Sequence, residues 1–261
     1  MKQRIITALI MAAVFIPVVY VGGWLLGVTI ALLAIIGLFE LFKIKGNSIF
    51  SIEGLVSTLA LMGFIFAHEM VGFLPQGFSS ETFLHLATII LLVCTVFSKN
   101  NFSFDDAAVS ILGMLYIGIG FRSLLATRES GLGLLILVLI TIWATDIFAY
   151  LIGRKIGKNK LAPNISPNKT IEGSLGGTLT AVLLAAVYLY FVPLNMPFLG
   201  SLVLMFLLSM VGQLGDLVES AFKRHYNVKD SGDIFPGHGG VLDRFDSMLF
   251  VFPILSIVGL I

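Results

Sequence analysis

Apolar runs of membrane-spanning length recur along this chain about every 25 residues, and no other feature constrains its fold as strongly. They cover approximately 5–21, 24–42, 52–68, 82–98, 107–125, 131–152, 174–192, 199–219 and 243–261. A bilayer core about 30 Å thick needs roughly 20 apolar residues in a helix. Lipid offers backbone amides no water, so a spanning segment satisfies them internally, as a helix does. Only 12% of the residues are charged, against about 25% in soluble domains. The expectation is an all-α, polytopic integral membrane protein with about nine transmembrane helices.

Positive charge sets the expected orientation, because Lys and Arg accumulate in cytoplasmic loops. With the N-terminus in the cytoplasm, Lys2 and Arg4 fall on that side. So do Lys43, Lys45, Lys99, Arg154, Lys155, Lys158, Lys160, Lys169, Lys223, Arg224, Lys229 and Arg244, making 14 of the 16 basic residues. Only Arg122 and Arg128 lie near the other face, and the loops 69–81 and 193–198 have none. An odd number of helices then puts the C-terminus outside. The first helix could pass for a signal peptide, but it lacks a clear small-residue cleavage site and more spans follow, so it reads as retained. Residues 1–130 read as a scaffold of about five helices, and 131–261 as a catalytic region of about four helices with cytoplasmic loops.

The net charge of +1 implies no general affinity for polyanions, and nucleic acid is not an expected partner. The single cysteine, Cys94, lies in an apolar run, so internal disulfides are excluded and any metal would meet oxygen ligands. Gly153 and Gly157, Gly173 and Gly177, and Gly23 and Gly27 have the four-residue spacing that lets helices approach closely. Pro17 and Pro253 fall inside spans, where a kink is expected.

Polarity enters the membrane from the sixth span onward. Asp146 stands well inside an apolar run, where a carboxylate costs roughly 2.5–3.5 kcal/mol, so it should face a bundle interior or a wet cavity. In Ser166-Pro167-Asn168-Lys169-Thr170, at a helix start, hydroxyls, an ammonium and free amides are available to an anion. Asp216, Ser220 and Lys223 share one helical face by their spacing, and Asp243 and Asp246 share another. Between them runs DSGDIFPGHGG, whose glycines, including Gly239 and Gly240, exclude a regular helix and allow close approach of backbone amides to a ligand. His238 sits in that loop, where it could touch phosphate or move a proton.

Three carboxylates, Asp216, Asp243 and Asp246, thus come from two helix ends joined by a short loop. Clustered hard oxygens suit Mg²⁺, which is held by one or two carboxylates and by substrate phosphates. Lys223, Arg224, Lys229 and Arg244 stand around them, with Lys169 from another loop. Carboxylates, a divalent cation and several Lys/Arg suit phosphoryl or nucleotidyl transfer, whose transition state gathers negative charge.

At these residues the chain resembles the phosphatidate cytidylyltransferase (CDP-diacylglycerol synthase) family. The C-terminal stretch carries Ser220, Lys223-Arg224, Lys229-Asp230, His238-Gly239-Gly240 and Asp243-Arg244-Phe245-Asp246 in the family's order. Upstream, Ser166-Pro167-Asn168-Lys169-Thr170 followed by Glu172-Gly173 resembles a second block, and Asp146 through Gly153-Arg154 a third. Ile147-Phe148 departs from the Thr-Gly that often follows that Asp. Residues 1–130 match only as hydrophobic spans.

The resemblance implies that CTP and phosphatidate give CDP-diacylglycerol and pyrophosphate at a site facing the cytoplasm. It implies Mg²⁺ as cofactor, with a monovalent cation such as K⁺ as a second candidate, and a homodimer in the cytoplasmic membrane. Metal would be held by Asp216 and Asp246, with Asp243 close by. Lys223, Arg224, Lys229 and Arg244 would meet phosphates, and His238 with the Gly loop would line the triphosphate. Ser166, Lys169 and Asp146 would form the opposite wall; Ser220 and Asp230 belong to the binding motif. Two other readings compete: a CTP- or ATP-dependent membrane lipid kinase, and a cation transporter using Asp146, Asp216 and Asp246 as its ion path.

Overall fold

A computed structural model describes residues 2–70, 72–75, 78–99 and 101–261, with side chains for all of these except residues 2, 4, 5 and 8. Lys2 and Arg4, which enter the charge argument, therefore have side chains outside the described residues. Nine helices occur among the described residues: α1 Lys2–Val21, α2 Gly23–Lys45, α3 Ile52–Phe66, α4 Ser80–Phe97, α5 Phe104–Ser130, α6 Leu132–Ile156, α7 Ile171–Phe191, α8 Phe198–His225 and α9 Leu242–Ile257. Each overlaps one of the apolar runs. Six of them, α2 and α4 to α8, are long and apolar enough to cross a membrane. This is a polytopic helical membrane protein. Its outward surface suits lipid: Leu59, Val96, Phe97, Tyr190 and Phe191 are each more than 70% exposed.

The helix ends follow local chemistry. α2 stops at Gly46, whose φ of 88° lets its amide turn back to the carbonyls of Lys43 and Phe42. Ser51 caps α3 by accepting from the Gly54 amide, and a Ser79–Thr82 capping box opens α4. Thr170 caps α7 by accepting from the Gly173 amide. Pro17 and Pro253 lie inside α1 and α9.

An antiparallel ribbon, β1 Lys160–Ala162 and β2 Ser166–Thr170, joins α6 to α7, with Lys160 opposite Thr170 and Ala162 opposite Ser166. The sequence pattern places a turn and helix start there. Five residues alternating too little to show a two-residue period, with Pro167 among them, leave no strand signal to read. Glu172 secures the ribbon's approach: its carboxylate accepts from the Lys158 amide at 3.0 Å and from Asn159 Nδ2 at 2.7 Å.

The chain separates into two compact units, one of Met1–Leu125 with Asp230–Leu242, the other of Ala126–Lys229 with Asp243–Ile261. The Gly-rich loop thus groups with the N-terminal helices. In the first unit, α1 to α4 pack in sequence order. In the second, α6, α7 and α8 pack on one another, with α6 and α7 closest through their glycines. A Cβ on Gly177 would come within 2.6 Å of the Thr145 carbonyl oxygen, and one on Gly173 within 2.6 Å of the Ala149 carbonyl oxygen. Gly23 has open space instead, so the Gly23–Gly27 spacing reports no such contact.

Gly177→Val should therefore force α6 and α7 apart and cost about 1–3 kcal/mol, as overpacking does. Thermal unfolding in detergent checks this, with Gly23→Ala as the comparison at an open but positive-φ site (54°).

Candidate active site

In the unit built on α6 to α8, an open cavity of about 440 Å³ collects polar groups from three helices and the ribbon. α6 contributes Asp146, Tyr150 and Arg154, β2 contributes Asn168, Lys169 and Thr170, and α8 contributes Gln213 and Asp216. Lys169 Nζ lies 2.6 Å from Asp216 Oδ2, and both side chains keep about a third or a quarter of their surface open. Asp216 Oδ1 also accepts from Ser220 Oγ at 3.3 Å, as the one-turn spacing requires. Asp146 and Lys169 thus share one cavity. Ser166 does not line it: it starts β2, four residues before the helix cap.

Behind the cavity, hydroxyls tie the three helices together. Thr145 Oγ1 and Ser209 Oγ are 2.7 Å apart, and Ser209 Oγ donates to Thr178 Oγ1 at 2.9 Å. Gln213 Nε2 donates to the same Thr178 oxygen at 2.9 Å. Such contacts replace the hydration that lipid cannot supply. They also hold Gln213 and Asp216 on the cavity side of α8.

Lys223 has a different environment. Its ammonium stands 2.5 Å from Glu219 Oε2 and 2.5 Å from Asp243 Oδ1. The side chains of the three are 11%, 2% and 4% exposed. This is a buried triad in which one cation bridges two carboxylates, and it joins α8 to α9. Lys223 is therefore held by protein carboxylates, and Asp243 faces an ammonium. Glu219 is the member that pattern reading passes over, although its one-turn spacing from Lys223 signals it.

Asp246 is half-buried one turn beyond Asp243, and its Oδ1 accepts from the Ser247 amide. It feels the negative charges of Asp216, Glu219 and Asp146, while Asp146 feels Asp216, Lys169 and Arg244. Among the described residues no three His, Cys, Asp or Glu converge closely enough to cage a metal alone. Mg²⁺ asks for less: one or two carboxylates, with waters and substrate phosphates filling the octahedron. Asp216, a partly exposed hard oxygen donor, and Asp246, among several negative charges, fit that demand better than Asp243, which is buried against Lys223. Arg224, Lys229 and Arg244 are exposed, and Arg224 Nη1 donates to the Val228 carbonyl.

The Gly-rich loop is built within the other unit. The His238 amide donates to the Phe235 carbonyl at 2.8 Å, closing a turn with Pro236 and Gly237 at its centre. Gly237 has φ 77°, as the second central position of a type II turn demands. The Phe235 amide returns to the Gly239 carbonyl, and Gly239 has φ 83°. His238 stands at the tip with Nδ1 buried and without a hydrogen-bond partner. Asp230 is exposed at the loop's start, whereas Gly240 is buried against Glu40 and Ser231. Glu40 of α2 lies in the stretch whose sequence reads as scaffold. A glutamate near the end of an apolar run carries no signal of a partner some two hundred residues away.

Fold and site together describe a helical membrane protein that gathers carboxylates and cations at one open cavity. A profile of the Cytidylyltransferase family matches residues 2–261. The chain belongs to this family. It is 45% identical over 258 residues to a phosphatidate cytidylyltransferase of Staphylococcus haemolyticus, covering 99% of this chain and 98% of the relative. With the protein of the same name from Staphylococcus epidermidis the identity is 46% over the same length and shares, and with that from Staphylococcus aureus it is 45%. The resemblance expected from the C-terminal motifs thus extends over both units, including the helices that matched only as hydrophobic spans.

The triad and the cavity pair should respond differently to loss of their cation. Lys223→Met leaves two buried carboxylates uncompensated and should cost about 3–5 kcal/mol. Lys169→Met opens a partly solvated pair and should change stability by less than about 1 kcal/mol. Unfolding midpoints of the two variants in detergent decide this.

Proposed function

We propose that this enzyme transfers the cytidylyl group of CTP to phosphatidate, forming CDP-diacylglycerol and pyrophosphate for phospholipid biosynthesis. The observation that carries this reading is the alignment with proteins of that name over 99% of the chain, cavity and loop included. In the reaction a phosphate oxygen of phosphatidate attacks the α-phosphorus of CTP. A new P–O bond forms, the α–β P–O bond breaks, and pyrophosphate leaves with the electron pair. The attacking oxygen is already anionic near neutral pH, so no strong base is demanded of the protein.

The difficulty is to bring two anions together. Lys169 and Arg154 on the cavity wall, with the exposed Arg224, Lys229 and Arg244, are the groups assigned to phosphate oxygens. Asp216 and Asp246 are assigned to Mg²⁺, and Asp146 completes the acidic side of the same unit. When bound, Mg²⁺ neutralises the triphosphate and stabilises charge on the leaving pyrophosphate. Lys223 and Asp243, locked to each other, orient the start of α9 and hence Asp246. His238, with a buried nitrogen free to accept or donate, lines the triphosphate from the loop.

A lipid kinase would have to deprotonate a neutral hydroxyl, and the relatives' name does not support it; nor does it support a transporter. We further assign nine spans, with the N-terminus and the site on the cytoplasmic side of a bacterial cytoplasmic membrane, and a homodimeric state. α3 and α9, with 15 and 16 residues, are about 23 Å long, and span by local thinning of the bilayer or burial among their neighbours.

The test uses detergent-solubilised protein with CTP labelled at the α- or γ-phosphate. Label should pass to lipid from the α position only; transfer from the γ position would make the enzyme a kinase. Asp246→Asn should lower Mg²⁺-dependent turnover at least a hundredfold with the fold intact, as judged by thermal unfolding. Unchanged turnover in that variant removes the metal assignment.

A further inference from the structure

Glu40 is carried by α2, in a region that the motifs do not reach, yet its carboxylate is bonded to three groups about two hundred residues away. It is 3% exposed. The Val241 amide donates to its Oε1 at 2.7 Å, and the Leu242 amide to its Oε2 at 2.9 Å. The Ser231 hydroxyl donates to Oε2 at 2.9 Å. One carboxylate therefore grips both ends of the segment Ser231–Leu242, with the Pro236–Gly239 turn strung between them. The Val241 and Leu242 amides open α9, where the first amides of a helix have no intrahelical acceptor and a negative charge is favoured.

Two of the loop's glycines match this grip. A Cβ on Gly232 would lie 2.6 Å from Glu40 Oε1, and one on Gly240 would collide with the same carboxylate. Neither has a positive φ, so backbone freedom does not explain them. They leave room for Glu40. Gly237 and Gly239, by contrast, serve the turn through their positive φ.

Two other ties reach the loop from the N-terminal helices, and both are weaker. Thr7 Oγ1 donates to the exposed Pro236 carbonyl at 3.0 Å. Lys43 and Asp233 are 3.8 Å apart with side chains 59% and 94% exposed, and a solvated pair of that kind contributes little. Charge-assisted bonds to a buried carboxylate are the strong ones.

We propose that Glu40 is a positioning residue for catalysis, setting the conformation of the His238 loop by holding Ser231, Val241 and Leu242 at once. This inference rests on the reading that the loop meets the CTP triphosphate. On that basis Glu40 acts on nucleotide binding without touching substrate, and the N-terminal helices are part of the nucleotide machinery. Its charge matters as well as its size: a carboxamide in its place would turn an NH₂ group toward amides that also donate.

The experiment uses the full-length protein in detergent, with Glu40→Gln, Glu40→Ala, Gly232→Ala and the double variant Glu40→Ala/Gly232→Ala. Hydrogen exchange of residues 231–242 is measured beside exchange in α6 and α7. KM is measured for CTP and for phosphatidate. Glu40→Gln should speed exchange across 231–242 by about tenfold or more and leave α6 and α7 unchanged. It should raise KM for CTP by about tenfold, with KM for phosphatidate within about twofold. Gly232→Ala should act in the same direction, and the double variant should be less impaired than the product of the separate Glu40→Ala and Gly232→Ala effects, because removing the carboxylate vacates the space the methyl needs. If Glu40→Gln does not fold, Gly232→Ala carries the test by itself.

Unchanged exchange in the loop overturns the proposal. So does loss of folded protein with KM for CTP unaltered, which would make Glu40 structural only. If neither wild type nor variants turn over CTP, the assigned reaction fails, and local exchange alone decides whether Glu40 sets the loop.

Discussion

A carboxylate placed among apolar side chains must have its partners with it, and the arrangement of this protein follows from that constraint. Isolated charge in such surroundings costs several kcal/mol, and water is not at hand to lower the cost. Each deeply buried acid here is accordingly met by a fixed group. Glu40 takes two backbone amides and a hydroxyl. Glu219 and Asp243 share the ammonium of Lys223. Asp106 takes Lys45 at 2.9 Å, the Asn47 amide group and Ser103. These partnerships hold each carboxylate to fixed groups of the protein. Asp146 and Asp216 differ in lining an open cavity, where Asp216 keeps Lys169 beside it with both side chains partly exposed.

Close approach of backbone is the second constraint, and glycine supplies it in two ways. Between α6 and α7 it lets helices touch without side chains, so dispersion and hydroxyl contacts replace a hydrophobic drive that lipid does not provide. In the 231–242 segment it makes room for a carboxylate. Each use fixes backbone within its own unit. The cavity rests on the Thr145–Ser209–Thr178–Gln213 chain of hydroxyls and amide, and the loop rests on Glu40. Preorganised walls matter for a transferase whose two substrates repel each other, since little is left for the reacting groups to rearrange.

Much of this was legible in the amino acids. The nine apolar runs overlap nine helices, because a helix is the only open-ended way to satisfy a backbone in lipid. Asp146 stands out inside an apolar run, Lys169 in a polar turn at a helix start and Asp216 on a face shared with Ser220, and the three line one cavity. For Lys223, packing adds contacts that spacing does not show. From spacing it belongs with Asp216 and Ser220 on one face; in the fold it turns to Glu219 and to Asp243, twenty residues on. Ser166 shares a sequence block with Lys169, but only the end of β2 next to α7 reaches the cavity, and Ser166 lies at the other end. The ribbon itself left no trace in a pattern dominated by helices.

The sequence by itself determined the helical membrane architecture, the order of its helices and the family, since hydropathy, helix rise and local motifs act over a few residues at a time. Which acids are neutralised and which remain available was decided only by tertiary structure. Glu40 and Val241 are two hundred residues apart, and nothing in either neighbourhood announces the other. Their pairing exists because the packing of α2 brings a carboxylate to the unsatisfied amides at the start of α9, and a charge so buried is stable only with such partners.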